Sequence, residues 1–477
     1  MIDLFDPSKN KIFIGSTDKL PEWSGENAKP IDKIKLLLKN YLELDNVSFL
    51  FGSGTSIHLG AVSIRSFPIE VEKYIQTADS TVEHKGVHQE FLTSIEELQA
   101  RWHAIEKAKL DEGETSFVDE NNWAYRIDGH LVRDEKSNEI AIEFEKVLNY
   151  LLAKDYVFDA NSSLKRTDSI KNLILVIKKG LFSVCDVENR NIPAWLVEKK
   201  NASASEIHKR QALLLERENK YLFHEKFLKS LLQRPLNLRR ANIFTLNYDL
   251  AFEYAFDRLG VHYIDGFSGF HKRFFKPETF EYDIFYPGST TSGKVQRIEK
   301  VVRYFKLHGS LSWVNSNKID SNNLYGIEEM SLPMINSLEK KGEIIVYPAA
   351  VKKSYTLDLP YSELFRQFSA TITQSQSVLV TVGYAFADEH FNDIIFQALS
   401  NPTFTLIIVD FYGTENNQHI ERIKNLNDSR IIILQGDFFG DFLTLADTLM
   451  PDSNSFDSSD KVADTLNEYF NTNKKDH

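Results

Sequence analysis

Ile243-Phe244-Thr245-Leu246-Asn247-Tyr248-Asp249 reads as an apolar strand that gives way to polar side chains at its carboxyl end. Further along, Arg303-Tyr304-Phe305-Lys306-Leu307 forms a second such run and is followed at once by His308-Gly309-Ser310. Upstream, Val47-Ser48-Phe49-Leu50-Phe51 enters Gly52-Ser53-Gly54-Thr55-Ser56. That is the form of a strand stopping at a small-residue loop able to wrap a diphosphate. Three strand ends thus carry the polar groups, and together they read as a nucleotide site. A strand, then a loop, then helical pattern is how open parallel sheets begin.

Around this nucleus the chain divides by pattern. Residues 1–30 are turn-rich, with Pro7, Gly15, Pro21, Gly25 and Pro30, and are expected to form an arm before the first regular element. From Ile31 to Leu44 a helix is predicted, because Ile34, Leu37, Leu38, Tyr41 and Leu42 recur at three- and four-residue steps. Arm and helix make up residues 1–46. From about residue 70 to 234 the pattern changes to long charged helices, His88 to Lys109, Glu139 to Lys154 and Ser169 to Cys185, read as a mostly helical inserted module. A short hairpin is expected over Thr115 to Val132, where Trp123, Tyr125 and Ile127 alternate.

After Pro235 strands and helices alternate again. Strands are expected at Ile344 to Tyr347, Ser377 to Val382, Thr405 to Val409 and Arg430 to Leu434. Helices are expected at Asp249 to Leu259, Ser362 to Gln374, with Ser362 as its cap, and Glu389 to Ser400. Near-continuous apolar strands with helices between them indicate a Rossmann-like α/β fold, an open parallel sheet with helices on both faces. Residues 47–69 and 235–450 would form this domain, and 451–477 a flexible tail.

Composition narrows the function classes. A net charge of -12 over 477 residues argues against broad nucleic-acid binding, which needs a positive face. Outside the Lys199-Lys200 region the densest basic stretch, Lys226, Lys229, Arg234, Arg239 and Arg240, reads as a DNA contact or as a solvated helix face. Cys185 stands alone, so neither an intrachain disulfide nor a cysteine-rich zinc site can be built, and it is expected to pack as a small apolar residue. With no leader pattern and no long apolar run, a cytoplasmic protein without a membrane segment is expected.

In order along the chain, the motifs resemble those of the bacterial sirtuin-like proteins of antiphage defence. These degrade nicotinamide adenine dinucleotide and are often encoded beside a HerA-type hexameric ATPase. The matching pieces are Gly52 to Ser56, Thr245-Leu246-Asn247-Tyr248-Asp249, Lys306-Leu307-His308-Gly309-Ser310-Leu311-Ser312-Trp313, and Val382-Gly383-Tyr384-Ala385-Phe386-Ala387-Asp388-Glu389-His390. Deacylating sirtuins share the nucleotide site but carry a four-cysteine zinc module, so the lone Cys185 counts against protein deacylation and no zinc is expected.

The resemblance implies NAD+ as substrate and a role for each matching residue. Cleaving the nicotinamide–ribose bond leaves positive charge on the sugar. Asn247, a neutral donor and acceptor, would hold a ribose hydroxyl or the attacking water. Asp249 would bind the carboxamide and favour the developing cation. His308 would be the general base. Gly52, Ser53, Gly54, Thr55, Ser56 and Thr245 would bind the dinucleotide, with Gly383, Tyr384 and Phe386 closing over ribose and phosphates. Asp410 would meet the adenosine ribose, and Gly436-Asp437 would border the adenine. The resemblance also implies a homo-oligomer and an ATPase partner.

Plainer readings stand beside these. Asn247 and Asp249 could simply cap the next helix, His308 could be a buried histidine bonded to backbone, and Gly52 and Gly54 could form a turn without ligand. Asp388, Glu389 and His390 point in different directions from a helix start, so a metal site is not expected there. His262 to Gly269, rich in glycine and aromatic residues, reads as a lid or subunit contact. Three functions remain: an NAD glycohydrolase, an acyl or ADP-ribosyl transferase that would need a peptide cleft, and a nucleotide-sensing scaffold.

Overall fold

The computed structural model describes residues 5–25, 30–62, 67–98, 147–148, 150–155, 167–199, 206–217, 219–287, 296–316, 319–346, 360–386 and 388–451. The expected hairpin at 115–132 and most of the tail lie outside these residues, as do parts of the helices expected at 88–109 and 139–154.

The strands are β1 Lys11–Ile14, β2 Thr17–Asp18, β3 Asn46–Phe51, β4 Asn242–Thr245, β5 His262–Ile264, β6 Phe267–Ser268 and β7 Arg273–Phe275. They continue with β8 Val301–Lys306, β9 Gly309–Asn315, β10 Ile327–Glu329, β11 Ile344–Val346, β12 Ser377–Val382, β13 Thr405–Asp410 and β14 Ile431–Gln435. Nine of them form the main sheet, in the order β2-β1-β14-β13-β12-β3-β4-β8-β5. From β14 to β5 every pairing is parallel. The fold is therefore Rossmann-like α/β, a mostly parallel sheet with helices on both faces.

Alternation within the strands shows why. Phe49, Phe51, Ile243 and Tyr304 enter one apolar cluster, with the helices Pro30–Leu42, Leu222–Leu231 and Ala251–Leu259. Leu50, Phe244 and Phe305 enter the opposite one, with Tyr361–Ile372, Glu389–Leu399 and Gln418–Asn425. Because both faces are buried, the strands read as nearly unbroken apolar runs.

Three expectations need correction. The first regular elements lie inside the expected arm: β1 pairs antiparallel with β14, and β2 with β1, so the sheet is mixed at that edge. Asn10 locks the join, its Oδ1 accepting from the backbone N–H of Phe438 and Phe439. Second, β11 does not extend the parallel sheet. It belongs to a second, antiparallel sheet ordered β11-β9-β10-β7-β6. Third, Ser362 lies within the helix Tyr361–Ile372, whose N-cap is Pro360 with no side-chain cap.

The second sheet springs from the main one at two crossings. β5 passes through Asp265-Gly266 into β6, and β8 passes through Leu307-His308 into β9. His262 to Gly269 is thus a strand-to-strand crossing with Asp265 and Phe267 buried, rather than a lid. Leu311 and Val314 of β9 share a third cluster with Phe67–Asp79, Thr167–Cys185 and the helical residues at 87–98, 147–148 and 150–155. Cys185 packs against this cluster. Further along, Leu196, Leu215, Phe223 and Phe227 pack instead on the main sheet.

The basic stretch has structural work. Arg234 donates to the carbonyls of Leu42, Leu44 and Arg239, and Arg240 pairs with Asp283 at 3.0 Å. Among the described residues no helix is long and apolar enough to cross a membrane.

Candidate functional site

The carboxyl ends of β13, β12, β3, β4 and β8 stand side by side, an edge of about 19 Å at the usual strand spacing of about 4.8 Å. In open α/β sheets this edge is where ligands bind. Asp410 ends β13, and Gly383, the loop 52–56, Asn247 and His308 follow the other four strands in turn. Gly54 and Ala385 are exposed, while Ser53, Asn247, Tyr248, His308, Gly383 and Asp410 are half-buried, so the strip is open to solvent.

At its centre two glycine turns touch. The N–H of Gly52 donates to Val382 O at 2.9 Å and that of Gly54 to Gly383 O at 3.2 Å. A Cβ on Gly52 would stand 2.4 Å from Gly383 O, and one on Gly54 2.7 Å from Gly383 Cα. Gly383 itself has φ +61. The glycines are thus required by backbone-to-backbone contact, the turn reading, and this contact also sets the loop's position along the edge.

Asn247 is fixed from both sides. The Thr245 hydroxyl accepts its backbone N–H at 3.0 Å, and its side-chain amide donates to Thr55 Oγ1 and Ser56 Oγ, each at 3.2 Å. Thr55 in turn donates to Gly52 O at 2.8 Å. Loop and asparagine, distant in sequence, therefore form one polar cluster. Thr245, Thr55 and Ser56 are buried, so their side chains build the cluster rather than the open strip.

Asp249 is buried beside it and accepts the N–H of Ala251 at 3.0 Å, although Leu250 and not Asp249 is the N-cap of the helix Ala251–Leu259. Burial raises its pKa, opposed by the charge of Lys306, by the Ala251 N–H and by the Ser56 hydroxyl. Ser56 thus links Asn247 to Asp249. Beneath them Lys306 donates to the carbonyls of Tyr248, at 3.3 Å, and Asp249, and to Glu253 Oε1 at 2.9 Å. Tyr304 donates to the other oxygen of Glu253 at 3.0 Å.

His308 occupies the crossing between the two sheets. Its ring lies 6.3 Å from that of Tyr248 and 5.5 Å from that of Phe391, centroid to centroid. Its Nε2 stands 3.2 Å from Asp388 Oδ2, so its partner is a carboxylate and not the backbone of the plainer reading. Tyr384 and Phe386 are buried with rings 4.7 Å apart, leaving their loop only backbone to offer at the strip. Gly436 and Asp437 are covered by the N-terminal arm, where Asn10 Nδ2 donates to Asp437 Oδ1 at 2.8 Å.

One family comparison bears on this arrangement. The SIR2-like domain model matches residues 241–432. That span holds Asn247, Asp249, His308 and Asp388, and it supports a sirtuin-like protein with an NAD-related function. It begins at β4, so the glycine loop lies outside it even though the structure bonds that loop to Asn247. The chain matches no curated protein.

Sequence reasoning placed Lys306 and Asp388 in the matching motifs without the roles seen here, and it did not single out Asn10. Asp388 was legible as a motif residue and as the acid before a helix, which it is, accepting the His390 N–H at 3.1 Å. A lysine at the end of an apolar strand was the available signal for Lys306. Among the described residues no group of three or more His, Cys, Asp or Glu could hold a metal ion.

Proposed function

We propose that the chain is an NAD+ glycohydrolase that cleaves the nicotinamide–ribose bond in bacterial antiphage defence and depletes cytoplasmic NAD+ on activation. What supports this reading is the bonding of the glycine loop to the Asn247 amide, with His308 following the neighbouring parallel strand β8. In this reading the backbone of residues 52–56 and Gly383 takes the diphosphate, and Asp410 takes the adenosine ribose. Asn247 orients a ribose hydroxyl or the water, and His308 accepts the proton released as water or hydroxyl attacks. The Asp249 carboxylate, when ionised, favours the cationic sugar of the transition state. The lone Cys185 leaves no four-cysteine module to build the acyl-lysine cleft of a deacylase.

A homo-oligomer in complex with a HerA-type ATPase is the expected assembly, because uncontrolled loss of NAD+ would kill the host. Purified protein, alone and with the ATPase and phage components, is incubated with NAD+ and its products are separated by chromatography. Nicotinamide and ADP-ribose should appear, and Asn247→Ala should lower their release by at least about 10²-fold. No nicotinamide from folded protein under any of these conditions sinks the proposal. Modified protein without free ADP-ribose would instead identify a transferase, and intact bound NAD+ a scaffold.

A further inference from the structure

The imidazole of His308 can act as a base only if one ring nitrogen is unprotonated and faces the reacting atoms. Which nitrogen that is depends on what the other one contacts. Here Nε2 faces Asp388 Oδ2 at 3.2 Å. An ionised carboxylate only accepts, so Nε2 carries the proton in the neutral ring and Nδ1 keeps its lone pair.

Asp388 is itself firmly held. It is the N-cap of the helix Glu389–Leu399, with Oδ1 accepting the N–H of His390 at 3.1 Å. A helix amino end favours a negative charge at this position. The turn leading to it is closed by Asn392, whose Nδ2 donates to Phe386 O at 2.7 Å, and by Tyr384, whose hydroxyl lies 3.0 Å from Asn392 Oδ1. Phe391, one turn into the same helix, packs on the imidazole. With side-chain exposures of 13% for His308 and 8% for Asp388, water competes weakly for the contact. Tyr248 is the titratable residue facing the ring from the β4 side.

We infer that Asp388 is a positioning residue: it fixes the His308 tautomer and ring orientation, so that Nδ1 is the basic atom. This rests on the proposed hydrolase reading for its consequence in catalysis, but its physical content, the tautomer, can be measured without turnover. The segment Gly383 to Asn392 would then do more than border the ligand, because it carries the carboxylate that sets up a base three strands away in the sheet.

Asp388→Asn tests this, since asparagine keeps the helix cap while it can present an N–H to Nε2. Protein labelled with 15N-histidine, with the His308 signals assigned through His308→Gln, should show the Nε2–H tautomer in wild type and its loss in Asp388→Asn. With NAD+, the variant's kcat should fall by about 10²-fold or more with KM little changed. A wild-type ring protonated on Nδ1, a tautomer unchanged by Asp388→Asn, or a variant with wild-type kcat would each overturn the inference. If wild type itself releases no nicotinamide, the hydrolase proposal fails while the tautomer comparison still decides this one.

Discussion

Lys306 Nζ donates to Glu253 Oε1 at 2.9 Å, with the lysine side chain 3% exposed and the glutamate 12%. A buried ion pair is weak evidence for net stability, but removing one partner strands the other charge in a medium that solvates it poorly. The same ammonium also holds two carbonyls of the Asn247–Asp249 loop, so its loss should be felt both in stability and at the site. Lys306→Met is expected to cost about 3–5 kcal/mol in urea unfolding. Lys306→Met combined with Glu253→Leu should recover part of that loss, because the Glu253 charge is no longer left unpaired. If the double variant is as unstable as the sum of the singles, the two charges are not coupled as described.

Much of the main sheet was legible because β3, β4, β8, β12, β13 and β14 are apolar on both faces and end in polar residues. The second sheet was not. Its strands β6, β7, β10 and β11 are two or three residues long, and cross-strand pairing such as Glu329 with Arg273 holds them rather than any pattern of their own. β1 and β2 were hidden for the same reason, since Lys11–Ile14 gains its partner from β14 at the far end of the chain. Asn247 and His308 were legible as polar groups at strand ends. Asp388 was not, because only tertiary packing of the helix behind β12 brings it to the crossing after β8.

The contact between the glycine turns makes a sharper prediction than glycine content alone. Gly52→Ala places a methyl group 2.4 Å from Gly383 O, where rigid backbone has to move. Overpacking of this kind costs about 1–3 kcal/mol. Gly86, at positive φ (+90), has nothing within 4 Å of an added Cβ. Gly86→Ala should therefore pay only the left-handed backbone cost of about 1–2 kcal/mol and leave NAD+ binding intact. Gly52→Ala should weaken that binding as well, read by calorimetric titration. Equal affinity in the two variants would mean that the loop's placement against Gly383 does not matter to the ligand.

His58 follows the glycine loop by two residues and is stacked on His224, ring centroids 5.4 Å apart, among Phe223, Phe252 and Phe442. Burial pushes the His58 imidazole down to about 3, and burial together with His58 holds His224 well below 6.5. The folded state thus binds protons less readily than the unfolded chain, whose histidines titrate near 6.5. The stability tied to these neutral rings is complete above that pH and is lost as pH falls from 6.5 towards 3, at a limiting slope of about 1.4 kcal/mol per pH unit for each histidine. Thermal unfolding between pH 7.5 and 5 should show the midpoint falling in wild type and a flatter profile in His58→Leu/His224→Leu. Parallel profiles would place the acid sensitivity elsewhere.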